Sequence, residues 1–256
     1  MKYYGALADT KDSRDYVYGD IMRSIDTPTV VDYEGDMSPI LNQYYWSSCV
    51  AFAMCSVREF QENRERNIKQ VVNLSEYFLY SLIQLWPQKG AYLREACKTA
   101  CKVGITMEKF LPYPSKRVEK ELQDPKRKLG VYTTANRFKA KTYVRLQNLT
   151  EMMESLTVNG PFIIGLPWLS TWRNTTRLRK LNHYPVLTRS GTPVGRHAVC
   201  VCGVDKKNLV FKIRNSWGLG WGRKGYAYIP FSALKDFDAW AIFDKDHPLM
   251  NDRTNK

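Results

Sequence analysis

The chain has 256 residues, 44% hydrophobic and 25% charged. That length and balance suit one large domain or two small lobes and exclude a disordered, low-hydrophobicity chain. Six cysteines do not make a disulfide-dense secreted scaffold. No eighteen apolar residues run together and the first twenty lack a signal-peptide core, so the expectation is a protein of the cytoplasm, or of the virion or host cytoplasm if viral. The net charge of +14 would attract acidic peptides, nucleic acid or anionic membranes, with a polypeptide partner favoured over nucleic acid and no membrane insertion. Between Ser155 and Val204 there is no Asp or Glu, while Arg173, Arg177, Arg179, Lys180, Arg189 and Arg196 all fall there.

Residues 1–38 are polar and turn-rich, with Pro28 near their end and Pro39 just beyond, and read as an arm laid over a folded body. A helix is predicted after Ser47 and Ser48, either of which can cap it. Its first turns, Cys49 to Cys55, are apolar on every face and are expected to be buried, whereas Arg58 to Arg66 is polar and is expected to emerge into solvent. A second helix is predicted over 74–85. A third spans 92–103, with Leu93, Ala96, Cys97 and Ala100 on one stripe and Gly104 as a left-handed cap. Residues 115–128 mix charges densely and read as a surface excursion.

After Arg137 the pattern turns strand-like, apart from a helix over 149–156. Strands are predicted at 162–166, 197–204, 209–214 and 225–229. Helices first and strands later imply an α+β fold: a mainly helical lobe over 39–136, a strand-rich lobe over 137–243 and a polar tail over 244–256. A cleft between the two lobes is where a site is expected.

Cys49 opens a buried helix, where unpaired N–H groups and the helix dipole lower a thiol's pKa. Taken alone, a buried cysteine there is an ordinary core residue. A nucleophile also needs a base, and the base needs an orienting group. Of three histidines, His183 and His247 fall in a basic loop and in the tail. His197 opens an apolar strand. Eighteen positions later Asn215 begins the stretch Asn215-Ser216-Trp217-Gly218-Leu219-Gly220-Trp221-Gly222; its amide can hold one ring nitrogen and Trp217 can shield that bond. Gln43, six positions before Cys49, is an amide donor able to meet an oxyanion together with the Cys49 N–H.

With these residues the chain resembles the papain family of cysteine peptidases. The block Gln43 to Ala53 is similar to that family's nucleophile motif, Arg196-His197-Ala198-Val199 to its histidine motif, and Asn215 to Tyr226 to its asparagine motif. Asn73-Leu74-Ser75-Glu76, Gly104-Ile105 and Pro112-Tyr113 resemble further landmarks in order. The resemblance spans about 39–243 and implies a two-lobe fold, helical against β-barrel-like. It also implies endopeptidase activity through a thioacyl-enzyme, with Cys49, His197, Asn215 and Gln43 as machinery, Gly90, Ala91 and Trp217 as substrate-binding positions, and neither cofactor nor metal. Tyr44 and Ser47 replace usual glycines, Trp46 a disulfide cysteine, and Val50 a frequent tryptophan; Ala91 replaces the second glycine of a strip whose backbone pairs with extended substrate. A long pro-segment is missing, as in compact bacterial, archaeal or viral members.

Cys97 and Cys101 lie one helical turn apart, and Cys200 and Cys202 share a strand face opposite His197. These four read as core residues rather than zinc ligands. A catalytically inactive homologue that binds extended peptides is the alternative from another class, and a related amidase or transglutaminase a third. The acid-free segment around His197 further suggests that acidic side chains are favoured in the substrate.

Overall fold

A computed structural model of the chain describes residues 4–66, 72–85, 90–113 and 125–245. In chain order the elements are β1 (Ala6–Leu7), α1 (Tyr18–Ile21), β2 (Val30–Asp32), α2 (Cys49–Arg66), α3 (Glu76–Ile83), β3 (Ala91–Tyr92), α4 (Leu93–Lys102) and α5 (Pro125–Ala135). There follow β4 (Thr142–Leu146), α6 (Leu149–Val158), β5 (Phe162–Leu169), β6 (Lys180–Leu181), β7 (Tyr184–Pro185), β8 (Pro193–Asp205), β9 (Val210–Arg214), β10 (Tyr226–Pro230) and β11 (Asp238–Phe243). The α+β reading holds.

The helices form where local chemistry allows. Ser75 caps α3 by accepting the Phe78 N–H at 3.0 Å. Leu93, Ala96, Cys97 and Ala100 are fully buried along α4, and Gly104 ends that segment at φ +84°. In α2 the expected emergence at Arg58 does not occur. Arg58, Glu59, Phe60, Gln61 and Glu62 are all buried, because the helix runs on behind the main sheet and its polar groups find partners there. Arg58 donates to Gln61 and Glu62 at 2.7 and 2.8 Å and pairs with Asp244. Glu59 accepts the Ser38 hydroxyl and the Leu74 N–H, and Gln61 donates to the Ile242 carbonyl at 2.6 Å.

Seven strands make one sheet in the order β10-β9-β8-β5-β11-β4, with β2 paired to β8. The path is open, so barrel-like describes this lobe only loosely. Its two faces cover two cores. Ala198, Cys200 and Cys202 of β8 face a core shared with α2, α3 and α4; Val199 and Val201 face a second core with Met152 and Leu156 of α6. This is the period-two alternation of a strand buried on both sides. Strands β2, β4 and β11 were not predicted; β11, Asp-Ala-Trp-Ala-Ile-Phe, is wholly buried and so lacks an alternation to read. The excursion expected over 115–128 lies largely outside the described residues. No helix among the described residues is long and apolar enough to cross a membrane.

Candidate active site

Cys49 is the first residue of α2, and its sulfur meets β8 at one point: the Ala198 N–H donates to Cys49 Sγ at 3.5 Å. His197, the preceding residue, is fully buried. Its Nε2 faces Asn215 Oδ1 at 2.8 Å, and the same oxygen accepts the Ser216 N–H at 2.8 Å. An amide oxygen only accepts, so Nε2 carries the proton and Nδ1 is the basic nitrogen. The indole of Trp217 lies over the imidazole at 4.6 Å between centroids. Trp168, a residue absent from the sequence-derived site, closes the ring's other approach at 4.7 Å. It occupies β5 opposite Gly195, a pairing that becomes legible only with the register.

Gln43 is fully buried and is held at both ends of its amide. Oε1 accepts the Ser216 hydroxyl at 2.7 Å and Nε2 donates to the Trp46 carbonyl at 2.7 Å, while its backbone N–H bonds the Ser216 carbonyl at 2.8 Å. Gln43 thereby ties the segment before α2 to the stretch after β9. Tyr44 keeps the left-handed φ of +49° where glycine is the easy residue, with Asn42 Oδ1 accepting its N–H at 2.8 Å. Trp46 packs edge-on against Tyr77 and Tyr80.

The groove over Cys49 is filled by the chain's own arm. The backbone N–H of Gly5 points at the thiol, and the Gly5 carbonyl accepts the Ala91 N–H at 2.8 Å. A Cβ at Gly5 would sit 1.9 Å from the Ser47 carbonyl oxygen, so only glycine passes. Beyond it, β1 pairs in parallel with β3, Ala6 against Ala91 and Leu7 against Tyr92. Thus Gly90 and Ala91 stand where extended backbone is bound, and the strand bound there is β1. On the other side of the sulfur, the Tyr4 ring meets His197 and Trp217 edge-on at 6.1 Å each. Tyr4 is in turn clasped by Arg173, whose Nε donates to the Tyr4 hydroxyl at 2.5 Å.

This lid corrects one electrostatic expectation. A helix-start thiol was expected to have a lowered pKa; instead complete burial pushes Cys49 up to about 11, with the N–H groups of Ala198, Gly5, Val50 and Cys49 itself pulling the other way. Dipole and N–H groups do not offset complete desolvation.

Past Tyr4 and Arg173 opens a cavity of about 700 Å³ lined by Arg173, Lys180, His183, Trp221 and Arg223 together with Thr175. Arg196 does not add to this charge, being paired with Asp238 at 2.7 Å. Cys97, Cys200 and Cys202 are core residues and Cys101 packs against them; among the described residues no group of three or more His, Cys, Asp or Glu is placed to hold a metal.

Residues 23–234 match the family model for papain family cysteine protease. The chain belongs to the papain family of cysteine proteases and is a papain-like cysteine peptidase. It is similar to an uncharacterized peptidase C1-like protein of Acanthamoeba polyphaga mimivirus, 23% identical over 97% of this chain and 89% of that one. It is also similar to cysteine proteinase 1 of Dictyostelium discoideum, 25% identical over 84% of this chain and 64% of that one. Among solved structures, xylellain, a cysteine protease from Xylella fastidiosa, superposes with a TM-score of 0.75 at 24% identity, covering 95% of this chain and 96% of that one. Procathepsin B S9 from Trypanosoma congolense gives 0.69 at 18% identity, covering 95% and 87%.

Proposed function

We propose that the chain is an endopeptidase that cuts through a thioacyl-enzyme and favours acidic residues on the leaving-group side of the scissile bond. The observation that carries this reading is the meeting of α2 and β8, where Cys49 Sγ accepts the N–H of the residue next to His197, itself held at Nε2 by Asn215. Once the arm leaves the groove, His197 Nδ1 takes the thiol proton and the thiolate attacks a peptide carbonyl. The Cys49 N–H and the side-chain amide of Gln43 receive the oxyanion, and imidazolium returns the proton to the leaving amine. Water then releases the acyl group.

Because the leaving amine must lie beside His197, the C-terminal part of the substrate departs toward Trp217, Tyr4 and the basic cavity. The charge of Arg173, Lys180 and Arg223 there supports acidic residues in that part. Gly90 and Ala91 then receive the N-terminal part along their backbone.

A peptide-library cleavage profile, run on protein with its arm displaced and with Cys49→Ala as control, tests both statements. Turnover is expected to vanish in the folded Cys49→Ala variant, with Asp or Glu enriched C-terminal to the cut. Activity retained in that variant removes the nucleophile; enrichment of Lys or Arg C-terminal to the cut removes the acidic preference.

A further inference from the structure

Beyond the imidazole on the leaving-group side, separate stretches of chain are tied into one wall. Strands β6 and β7 pair Lys180 with Pro185 and Leu181 with Tyr184. The residues between them, Asn182 and His183, both take positive φ, +47° and +69°, the hairpin turn that matches the twist of its strands. The hairpin is fastened to β10 by the Leu187 N–H on the Tyr228 carbonyl at 2.8 Å and by the Tyr184 ring against Tyr228 at 5.2 Å. The stretch after Asn215 is fastened to the segment before the hairpin: the Trp221 indole N–H donates to the Trp172 carbonyl at 2.9 Å and the Gly222 N–H to the Thr175 hydroxyl oxygen at 3.1 Å. The cavity of about 700 Å³ between them is therefore framed by hydrogen bonds of the fold itself.

No Asp or Glu lines this cavity, whereas Arg173, Lys180, His183 and Arg223 do. Elsewhere in the same lobe the partly buried cations are neutralised: Arg196 by Asp238, Lys212 by Asp32 and Glu34, Arg145 by Asp15 and Asp238. Among the described residues Lys180 and Arg223 are in no ion pair. Arg223 is nevertheless oriented, its guanidinium over the Tyr184 ring at 4.6 Å and Nη1 donating to the Asn182 carbonyl at 3.2 Å, which leaves most of its donor fork unused. The acceptors of the lining are taken. Asn174 Oδ1 accepts both the N–H and the hydroxyl of Thr176, at 3.0 and 2.8 Å, and the Thr175 oxygen accepts Gly222. What the cavity offers a ligand is chiefly donors and positive charge.

We propose that this cavity is a phosphoryl subsite, and that the peptidase selects substrates bearing a phosphorylated serine or threonine about three residues C-terminal to the cut. The inference rests on the peptidase reading above and narrows its acidic preference to one chemical class. An aspartate offers a single charge and two oxygens on a short stem. A phosphoryl group carries about −1.5 to −2 at neutral pH and three acceptor oxygens, enough to meet the Arg223 fork through two of them and the Lys180 ammonium through the third. Its place along the substrate follows from the rings. His197 to Trp217 is 4.6 Å and Trp217 to Trp221 6.0 Å, so the cavity begins about 10 Å from the imidazole, a span of about three extended residues.

The test compares kcat/KM for matched peptides carrying serine, aspartate or phosphoserine at each position in turn after the scissile bond, under the conditions of the library profile. Phosphoserine near the third position is expected to exceed serine at least about tenfold, with aspartate between them. Lys180→Gln combined with Arg223→Gln is expected to bring the phosphoserine-to-serine ratio within about twofold of one, and Arg223→Lys alone, which keeps the charge but not the fork, to retain only part of it. Lys207→Gln removes the same charge from the exposed turn between β8 and β9, at the other end of the sheet, and is expected to leave the ratio as it was. Independently of turnover, the intact full-length Cys49→Ala chain is titrated with acetyl-phosphoserine amide, followed by NMR at the Trp221 indole N–H. The Kd is expected to lie at least about tenfold below that of acetyl-aspartate amide, with the difference lost when Lys180 and Arg223 are replaced. Equal rates for serine and phosphoserine at every position, aspartate equal to phosphoserine, or a preference that survives loss of Lys180 and Arg223 overturns the inference. So does inorganic phosphate binding as tightly as phosphoserine amide with no phosphopeptide preference in cleavage, which would make this a site for the free anion. Absence of turnover on every peptide, with Cys49 unreactive toward a thiol-directed epoxide, is a different result: the peptidase reading itself then fails, while the titration still reads the subsite.

Discussion

At the scale of single residues, Gln43 links two pieces of chain as well as offering a donor. Its Oε1 is taken by Ser216 and one amide N–H by Trp46, so the side chain is positioned before any substrate arrives, the condition under which an oxyanion donor is effective. With the arm displaced, Gln43→Ala is expected to lower kcat by about 10²–10³-fold with little change in KM, as loss of a transition-state donor does. Steady-state kinetics on a small peptide ester checks this; a change confined to KM would assign the residue to substrate binding instead. Gln43, Cys49, His197 and Asn215 were legible as residue types at telling spacings. Trp168 was not, because an indole in an apolar strand has no signature until the register with β8 is known. The pKa of Cys49 was misread for a related reason: the dipole at a helix start is local, but the desolvation that outweighs it comes from segments distant in sequence that pack over the thiol.

At the scale of elements, α2 carries the sharpest disagreement between pattern and packing. The polar half from Arg58 reads as a solvent face, yet the sheet and the residues just after β11 bury it and supply its partners. Burial opposes the charge on Arg58, and Glu62, Gln61 and Asp244 offset that opposition. Arg58→Ala leaves two acids beside an uncompensated site and is expected to cost about 3–5 kcal/mol, measured as a shift in the urea midpoint. Replacing Arg58 and Glu62 together by leucine is expected to recover part of that loss; a loss below about 1 kcal/mol in Arg58→Ala would mean the cluster is solvated after all. Elements with a clean period, α4 above all, were readable to within a residue or so, whereas β11 was not, since a short strand buried on both faces shows no alternation.

At the scale of the whole molecule, the burial of Cys49 and its ionisation are linked. Burial raises the Cys49 pKa from its ordinary value near 9.0 to about 11, so the covered site favours the neutral thiol. The linkage follows in sign: burial of Cys49 is undiminished below about pH 9 and is opposed as pH rises through about 9 to 11, where an exposed thiol releases its proton first. Iodoacetamide labelling followed at the Cys49 peptide is expected to be slow in the intact chain at pH 7, to accelerate toward pH 11, and to be fast at pH 7 in a variant lacking residues 1–10. Equal rates at pH 7 in the intact and the shortened protein would show that the arm does not seal the sulfur.

From its residues alone the chain determined which side chains were candidates for chemistry: a thiol opening an apolar helix, an imidazole ahead of an apolar run inside a strand and an asparagine ahead of a tryptophan-rich turn, because those features are read from side-chain type and local spacing. What occupies the groove was decided only by tertiary structure. The passage of Gly5 past Ser47, the parallel pairing of β1 with β3 and the burial of Tyr18 are contacts between distant segments, and no periodicity within either segment records which other segment will cover it.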